Sequence, residues 1–284
     1  MIRIVTDSVS DIPKDLINDL EIEVLPLTVN FENKSYRDGI DLSAEEFFTQ
    51  MAKSPKLPTT SQVTPGEFLN VFKEMTSRGD EVIAILMSSK LSGTYNSAMT
   101  AKNMLGDVEI DIIDSKGVTL GYGLLVIEGA RMAKSGYTRK EIIDRITYMQ
   151  EKLEYKFIVD TLENLYKGGR LNAAEAFMGK LLNIKPILTV KDGGLVLEDK
   201  VRGRKKAMKW LVDWLKDHNI DLSNQTIGVN HSNDEAYALE LIDVIRENFE
   251  VKEIILSKTG CVVSTHAGQG AVAMYFLNEY SNQQ

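Results

Sequence analysis

Three short stretches of the chain combine hydroxyl groups, glycines and a histidine in ways that suit an anionic ligand. The first is "LSGTYNSA" at residues 91–98, where Ser92 and Gly93 follow an apolar run that predicts a strand. Backbone N–H groups at a helix start lack partners, and the helix dipole adds positive charge there. The junction therefore suits a carboxylate or a phosphate. Taken alone, the stretch favours the simpler alternative that Ser92 is an ordinary helix N-cap.

The second stretch, "TTSQ" at residues 59–62, places hydroxyl groups just before a predicted helix. Thr64 already accounts for the start of that helix, so the polar side chains of Thr59, Thr60, Ser61 and Gln62 are surplus to it. They are candidates for binding the same anion. Loop hydroxyl groups are usually solvated, and that alternative is favoured modestly by the residues alone.

The third stretch, "STHAGQGAV" at residues 264–272, contains His266 among small residues that leave its ring approachable. The ring could donate a hydrogen bond to an oxyanion, and a purely structural histidine is an equal alternative. The segment "GQGAVA" also fits the dinucleotide pattern G-x-G-x-x-A. A nicotinamide-dependent enzyme receives little weight, because too little chain follows for a second strand and its acidic residue.

Charged residues add further candidates. Arg170 ends "KGGR" and is expected to hold either an anion or an interdomain carboxylate. The basic run "KVRGRKK" at residues 200–206 predicts a solvated face or, less readily, a docking patch for an acidic partner. Asp7 and Ser8 follow the first strand, so we expect them at the sheet edge where ligands gather.

Composition excludes several classes of protein. The net charge of −8 argues against a nucleic-acid surface, which needs clustered Lys and Arg. The single cysteine, Cys261, excludes an intramolecular disulfide and a multi-cysteine metal site, and the three histidines are far apart in sequence. No metal is therefore expected. No signal-peptide pattern and no run of ~18 apolar residues is found, so we expect a cytoplasmic protein without a membrane segment.

Sequence motifs of the common enzyme classes are missing. The chain has no G-x-S-x-G elbow, no phosphate-binding P-loop and no H-E-x-x-H zinc motif. We expect no catalytic residues and no cofactor. A phosphoryl-transfer enzyme acting alone remains an alternative, since strand–helix repeats are compatible with nucleotide binding.

The pattern of elements predicts an α/β fold with two domains. In residues 1–160, short apolar strands alternate with helices, which predicts a parallel sheet covered on both faces. We expect a strand at residues 21–31 and a closing strand at residues 155–161. Three helices begin with the capping-box spacing, namely at Ser43 and Glu46, Thr64 and Glu67, and Thr138 and Glu141.

Residues 161–284 predict a mixed α+β domain. A hairpin around "KDGG" precedes an amphipathic helix, and Asn233 is the predicted cap of a second helix. Residues 263–277 predict a final helix. Because no Pro/Gly/Ser-rich linker separates the halves, we expect them to pack together with a ligand cleft between them.

The order and spacing of these stretches resemble the DegV family of bacterial fatty-acid-binding proteins, also called FakB. The resemblance runs from end to end, and it is carried by "VTDSVSD", "TTSQ", "LSGTYNSA", "IDSK", "KGGR", "IKPIL", "KVRGRKKA" and "STHAGQGA". One departure is Val63, where many members have proline after T-S-Q. Val63 keeps a backbone N–H, so the loop geometry is expected to differ slightly.

The resemblance implies one long-chain fatty acid, of roughly C14–C18, buried between the two domains. Its carboxylate would be held by Thr60 and Ser92, with His266 completing the network and Gly93, Ser61 and Arg170 nearby. The family presents the acid to a separate ATP-dependent fatty acid kinase, which makes acyl-phosphate for phospholipid synthesis. Arg202 matches the residue that docks this kinase. Chain-length preference, oligomeric state and a direct contact of Arg170 with the ligand stay open.

Overall fold

The computed structural model describes residues 1–32, 34–172 and 183–280. Its helices are α1 (Lys14–Asp19), α2 (Ala44–Lys53), α3 (Pro65–Ser77), α4 (Thr94–Leu105), α5 (Thr119–Lys134), α6 (Arg139–Lys152), α7 (Glu163–Lys167), α8 (Arg204–Asp217), α9 (Glu235–Asn248) and α10 (Cys261–Ala267). Its strands are β1 (Ile2–Asp7), β2 (Glu23–Leu25), β3 (Thr28–Phe31), β4 (Lys34–Arg37), β5 (Thr59–Ser61), β6 (Glu81–Leu86), β7 (Ile110–Asp114), β8 (Leu153–Ile158), β9 (Ile184–Lys191), β10 (Gly194–Arg202), β11 (Thr226–His231), β12 (Glu253–Lys258) and β13 (Val272–Leu277).

The first half is built on a parallel sheet, as its alternating elements predict. The strand order is β2-β1-β6-β7, and all three pairings are parallel. Strand β6 is buried from Val82 to Leu86 because helix α5 packs on the sheet and α3 contacts it as well. All three predicted capping boxes are present. The α/β fold class is confirmed.

The second half is built on a mixed six-stranded sheet of order β10-β9-β8-β13-β11-β12. Strand β8 lies inside this sheet, antiparallel to β9 and β13. The expectation that residues 155–161 close the first sheet is therefore wrong. An apolar run predicts a buried strand, but it does not specify which neighbours the strand will pair with. The division of the chain at residue 160 stays a prediction.

The predicted final helix is wrong over most of its length. Helix α10 ends at Ala267, and residues 272–277 form strand β13 between β8 and β11. Gly268 and Gly270 have φ values of 74° and 85°, and these left-handed conformations end the helix. The residues that follow include Val272, Tyr275 and Phe276, which are types that favour strands.

Two smaller predictions also need correction. Residues 21–31 form two strands in different sheets, with Pro26 between them, and β3 lies in a small antiparallel sheet of order β4-β3-β5. The cap of α9 is Asp234, whose carboxylate accepts the Tyr237 N–H at 3.3 Å, and it is not Asn233. The small sheet matters for the site because β5 carries Thr60.

Candidate functional site

A cavity of about 330 Å³ lies between the two halves of the chain, within the ~300–1,000 Å³ range of small-molecule sites. Its wall is mostly apolar and draws on both halves, including Val9, Leu27, Met87, Phe157, Leu188 and Val272. All six residues predicted to bind the ligand line it, namely Thr60, Ser61, Ser92, Gly93, Arg170 and His266.

A hydrogen bond between Thr60 and His266 joins the two halves at this cavity. The Thr60 Oγ1 and His266 Nε2 atoms are 3.0 Å apart, although the residues are separated by 206 positions. Strand β5, which places Thr60, pairs with β3 opposite Val29, so the "TTSQ" stretch begins as a strand and is not simply a loop. Helix α10 places His266 in its last turn, against β3, β5 and α7.

The His266 ring is held in its neutral form. Burial, with a further contribution from the positive charge of Arg170, lowers its pKa to about 4. The Nδ1 atom is buried and has no hydrogen-bond partner within the part of the chain that the structure describes. An unpaired N–H is rarer in proteins than an unpaired acceptor, so the network favours a proton on Nε2. The ring then donates to Thr60 Oγ1, which leaves the Thr60 hydroxyl hydrogen available to an anion.

Ser92 immediately precedes Gly93, the N-cap of helix α4, which begins at Thr94. The Ser92 Oγ atom accepts the Thr94 N–H at 3.3 Å and lies 2.9 Å from Thr94 Oγ1. The expectation that Ser92 is the N-cap is therefore wrong by one position. Its hydroxyl hydrogen can be donated either to Thr94 or to a ligand in the cavity.

Gly93 allows the "TTSQ" stretch to contact the start of α4. A Cβ atom added to Gly93 would overlap the side chain of Gln62. The Gln62 Nε2 atom donates to Ser97 Oγ at 2.8 Å, and Gln62 itself lines the cavity. Gly93 has a φ of −76°, which any residue can adopt, so the position does not need the backbone freedom of glycine. It needs the absence of a side chain, because Gln62 packs against it.

Gly168 contacts the His266 ring, and no local sequence pattern predicts this contact. A Cβ atom added to it would overlap the Nδ1 side of the His266 ring. The sequence shows a glycine pair in "KGGR" just before Arg170. This local pattern does not indicate a contact with His266, which lies almost a hundred positions further along the chain. Gly168 thus helps to keep the ring beside Thr60.

Arg170 brings a positive charge to the cavity and ties the halves together. Its Nε atom donates to the Leu91 carbonyl at 3.2 Å, and its Nη1 atom donates to the Gly168 carbonyl. Burial lowers the pKa of the guanidinium. Among the described residues no carboxylate lies within ion-pair distance of it, so the interdomain carboxylate considered above is not found there.

The residues Asp7 and Ser8 do not line the cavity, contrary to expectation. The Asp7 carboxylate accepts hydrogen bonds from the Met87 N–H at 3.0 Å and the Tyr122 hydroxyl at 2.8 Å. The Ser8 hydroxyl donates to Asp38 at 2.9 Å. The Asp7 carboxylate is buried and its partners are donors, whereas the half-buried Ser8 hydroxyl donates to Asp38 and accepts the Leu27 N–H.

The basic run at residues 200–206 is divided in the structure. Arg202 ends strand β10 and is exposed, as are Lys205 and Lys206. Arg204 pairs with Asp234 and stacks on the Tyr237 ring at 4.5 Å from its centroid. Arg204 therefore has a structural role, while Arg202 is available at the surface.

Other classes of site receive no support. Over residues 1–32, 34–172 and 183–280, no group of His, Cys, Asp and Glu is arranged to hold a metal ion. Within the same ranges, no helix has the length and apolar character needed to cross a bilayer. The "GQGAVA" stretch runs from a helix end into a strand, whereas a dinucleotide loop runs from a strand into a helix.

The chain is similar in sequence to known proteins. A sequence profile described as "Uncharacterised protein, DegV family" matches residues 1–279. A DegV domain-containing protein of Caldanaerobacter subterraneus is 43% identical over 275 residues, which cover 97% of this chain and 98% of that protein.

Solved structures show the same architecture. A DegV family protein from Thermus thermophilus, described by its fatty acid binding, is 32% identical with a TM-score of 0.90, covering 96% of this chain and 98% of its own. DegV from Bacillus subtilis, described as a fatty acid binding protein, is 34% identical with a TM-score of 0.84 and the same coverage. The chain therefore belongs to the DegV family.

Proposed function

We propose that this protein binds one long-chain fatty acid in the cavity between its halves. The observation that carries the proposal is an apolar cavity with a polar group of residues, centred on the Thr60–His266 hydrogen bond, in its wall. The fatty acid binding of the Thermus thermophilus and Bacillus subtilis relatives supports the same ligand class.

The carboxylate is held by hydroxyl donors and not by a direct counter-charge. Thr60 and Ser92 donate to its oxygens, His266 orients the Thr60 hydroxyl, and the Arg170 charge favours an anion nearby. Hydrogen bonds to a charged acceptor are roughly twice as strong as neutral ones. Burial of the acyl chain adds about 0.8 kcal/mol per CH₂, so a long chain is selected over a short one.

The bound acid is presented to a second protein and is not transformed by this chain alone. In this proposal an ATP-dependent fatty acid kinase docks at the exposed Arg202 in the cytoplasm and phosphorylates the carboxylate, giving acyl-phosphate for phospholipid synthesis. The protein itself needs no cofactor. Hydroxyl donors suit this role because they leave part of the carboxylate approachable.

Identification of the co-purifying lipid tests the proposal directly. Denaturing extraction of the purified protein followed by mass spectrometry is expected to release one fatty acid of roughly fourteen to eighteen carbons per chain. Delipidated protein is expected to take up added acid to the same ratio. A preparation that is empty and also takes up no acid would exclude the carrier function, and ATP turnover by the isolated chain would favour a phosphoryl-transfer enzyme.

A further inference from the structure

Two buried carboxylates of the first half hold the start of helix α10, which belongs to the second half. Asp11 Oδ1 accepts the Gly260 N–H at 2.7 Å, and Asp38 Oδ1 accepts the Cys261 N–H at 2.7 Å. The two aspartates are only 7% and 3% exposed. We call Asp11 and Asp38 the carboxylate socket.

Gly260 fits closely between the two carboxylates. A Cβ atom added to it would lie 2.8 Å from Asp38 Oδ2 and 3.2 Å from Asp11 Oδ1. Its φ of −66° is open to any residue, so the requirement is for space and not for backbone freedom. The helix start therefore has little freedom to shift relative to the first half.

The socket is itself anchored in the first half. The second oxygen of Asp11 accepts the Thr119 hydroxyl at 2.6 Å, and that of Asp38 accepts the Ser8 hydroxyl at 2.9 Å. Ser8 Oγ also accepts the Leu27 N–H at 3.1 Å. Burial raises the pKa of both socket carboxyls, and these hydrogen-bond donors oppose the rise.

The other end of α10 forms the carboxylate site. The helix is seven residues long, so its ends are about 10 Å apart at 1.5 Å per residue. His266 contacts Thr60 at that end, and Val262, Val263 and Ala267 of the same helix line the cavity. A displacement of the helix start would be transmitted to the histidine because a short helix moves as a unit.

We propose that Asp11 and Asp38 are positioning residues, which hold α10 so that His266 reaches Thr60 and completes the carboxylate site. The effect on lipid binding rests on the proposed function, whereas the effect on the His266 ring does not. The socket also gives the polar side chains around the "TDSVSD" stretch a role in the site, although they do not touch the cavity.

Asp7 provides a matched control. It is a buried carboxylate on the same stretch, but its partners are the Met87 and Val9 N–H groups and the Tyr122 hydroxyl. None of these groups belongs to α10. Asp7→Asn therefore changes a buried charge in the same region without touching the helix.

The experiment compares Asp38→Ala, Asp38→Asn and Asp7→Asn in the full-length, delipidated protein. Imidazole signals are recorded by NMR on ¹⁵N-histidine-labelled protein, with His218 and His231 as internal references and a His266→Gln sample for assignment. Affinity for oleic acid is measured by titration. Asp38→Ala is expected to shift the His266 signals and to raise the Kd about tenfold, because a hydrogen bond to a charged group is lost.

The conservative variant separates positioning from general stability. Asp38→Asn keeps an acceptor for the Cys261 N–H, so the His266 signals and the oleic acid affinity are expected to recover largely. Asp7→Asn is expected to leave both unchanged. Unaltered His266 signals in folded Asp38→Ala protein, or an equal shift in Asp7→Asn, would overturn the proposal.

A second variant covers the case in which Asp38→Ala does not fold. Gly260→Ala keeps both carboxylates but pushes them from the helix start, and it is expected to shift the His266 signals in the same way. If wild-type protein binds neither oleic acid nor other long-chain acids, the proposed function fails. The His266 signals would still decide whether the socket positions the ring.

Discussion

Two groups of buried polar residues lie at opposite ends of helix α10, and they differ in what the protein leaves unpaired. In the carboxylate socket, each of the four oxygens of Asp11 and Asp38 accepts a hydrogen bond from the protein. At the other end, among the described residues, the Thr60 hydroxyl has His266 Nε2 as its one hydrogen-bond partner, and no carboxylate lies within ion-pair distance of Arg170. Polar groups whose hydrogen bonds are all made within the protein indicate a structural role. Polar groups that can still donate a hydrogen bond indicate a place for a ligand.

The strongest test of this comparison removes the hydroxyl groups of Thr60 and Ser92, the proposed donors to the ligand. Thr60→Ala combined with Ser92→Ala is expected to lower oleic acid affinity about a hundredfold, since two hydrogen bonds to a charged group are lost. The fold should be retained because the site is small. Titration of delipidated protein measures the affinity, and Thr59→Ala on the same strand serves as the control. Unchanged affinity in the double variant would remove both residues from the site.

The next test concerns Asp7, a buried carboxylate in the same stretch of sequence as Asp11 of the carboxylate socket. Burial raises the pKa of Asp7 from 3.8 to about 6, so the folded protein binds its proton more tightly than the unfolded chain does. Stability from this group is present below about pH 4 and is lost as the pH rises to about 6, by roughly 2–3 kcal/mol.

Asp7→Asn should remove that contribution. Urea unfolding between pH 4 and pH 7 is expected to show that the variant loses less stability than the wild type over this interval. If the free energy of unfolding of the wild type instead rises with pH relative to that of the variant, the raised pKa of Asp7 is contradicted. Asp41→Asn is a suitable comparison, because Arg37 lowers the pKa of Asp41 to about 2 and its titration lies below this interval.

A third test examines how His266 is kept in place. Gly168→Ala introduces a methyl group where the His266 ring lies, so the ring should move away from Thr60. We expect about a tenfold loss of oleic acid affinity, measured by the same titration. Gly66→Ala is the matched control, because nothing lies within 4 Å of its added Cβ atom and its φ is not positive. Equal affinity in the two variants would show that the ring position does not matter.

The smallest effect on lipid binding is expected from the surface. Arg202→Ala should leave oleic acid affinity unchanged, because the side chain is exposed and does not line the cavity. Under the proposed function it should weaken coupling to a fatty acid kinase, measured as acyl-phosphate formation in the presence of ATP and that kinase. Lys205→Ala, at another exposed position of the same basic run, is the control. Loss of lipid binding in Arg202→Ala would place this arginine in the cavity wall.

The residues predicted from sequence are those whose signal is local. Thr60, Ser92 and His266 each stand next to glycines or other small polar residues near the start of a predicted helix, so they could be singled out without the fold. They line the cavity, and their binding of a ligand stays a prediction. Gly168 could not be singled out, because its role depends on a ring contributed by α10. For the same reason Asp7 was expected at the cavity: a strand-end aspartate is recognised from sequence, but its direction is set by distant partners such as Tyr122.

Strand pairing, like the contact of Gly168 with His266, could be predicted from the sequence only where the signal is local. The parallel sheet of the first half follows from short-range alternation of strands and helices, and it was predicted. Strand β8 has an equally clear apolar pattern, yet its neighbours β9 and β13 come from later in the chain. The pairing depends on complementary faces that only the complete sheet provides.

The position of the cavity has a consequence for the lifetime of the protein. Because its wall is shared by both halves, the fatty acid of the proposed function would act as a removable part of the hydrophobic interior. At a free concentration one hundred times its Kd, such a ligand adds about 2.7 kcal/mol to the free energy of unfolding. Chains that lack lipid would unfold and be degraded sooner, so the amount of protein in the cell would follow the fatty acid supply.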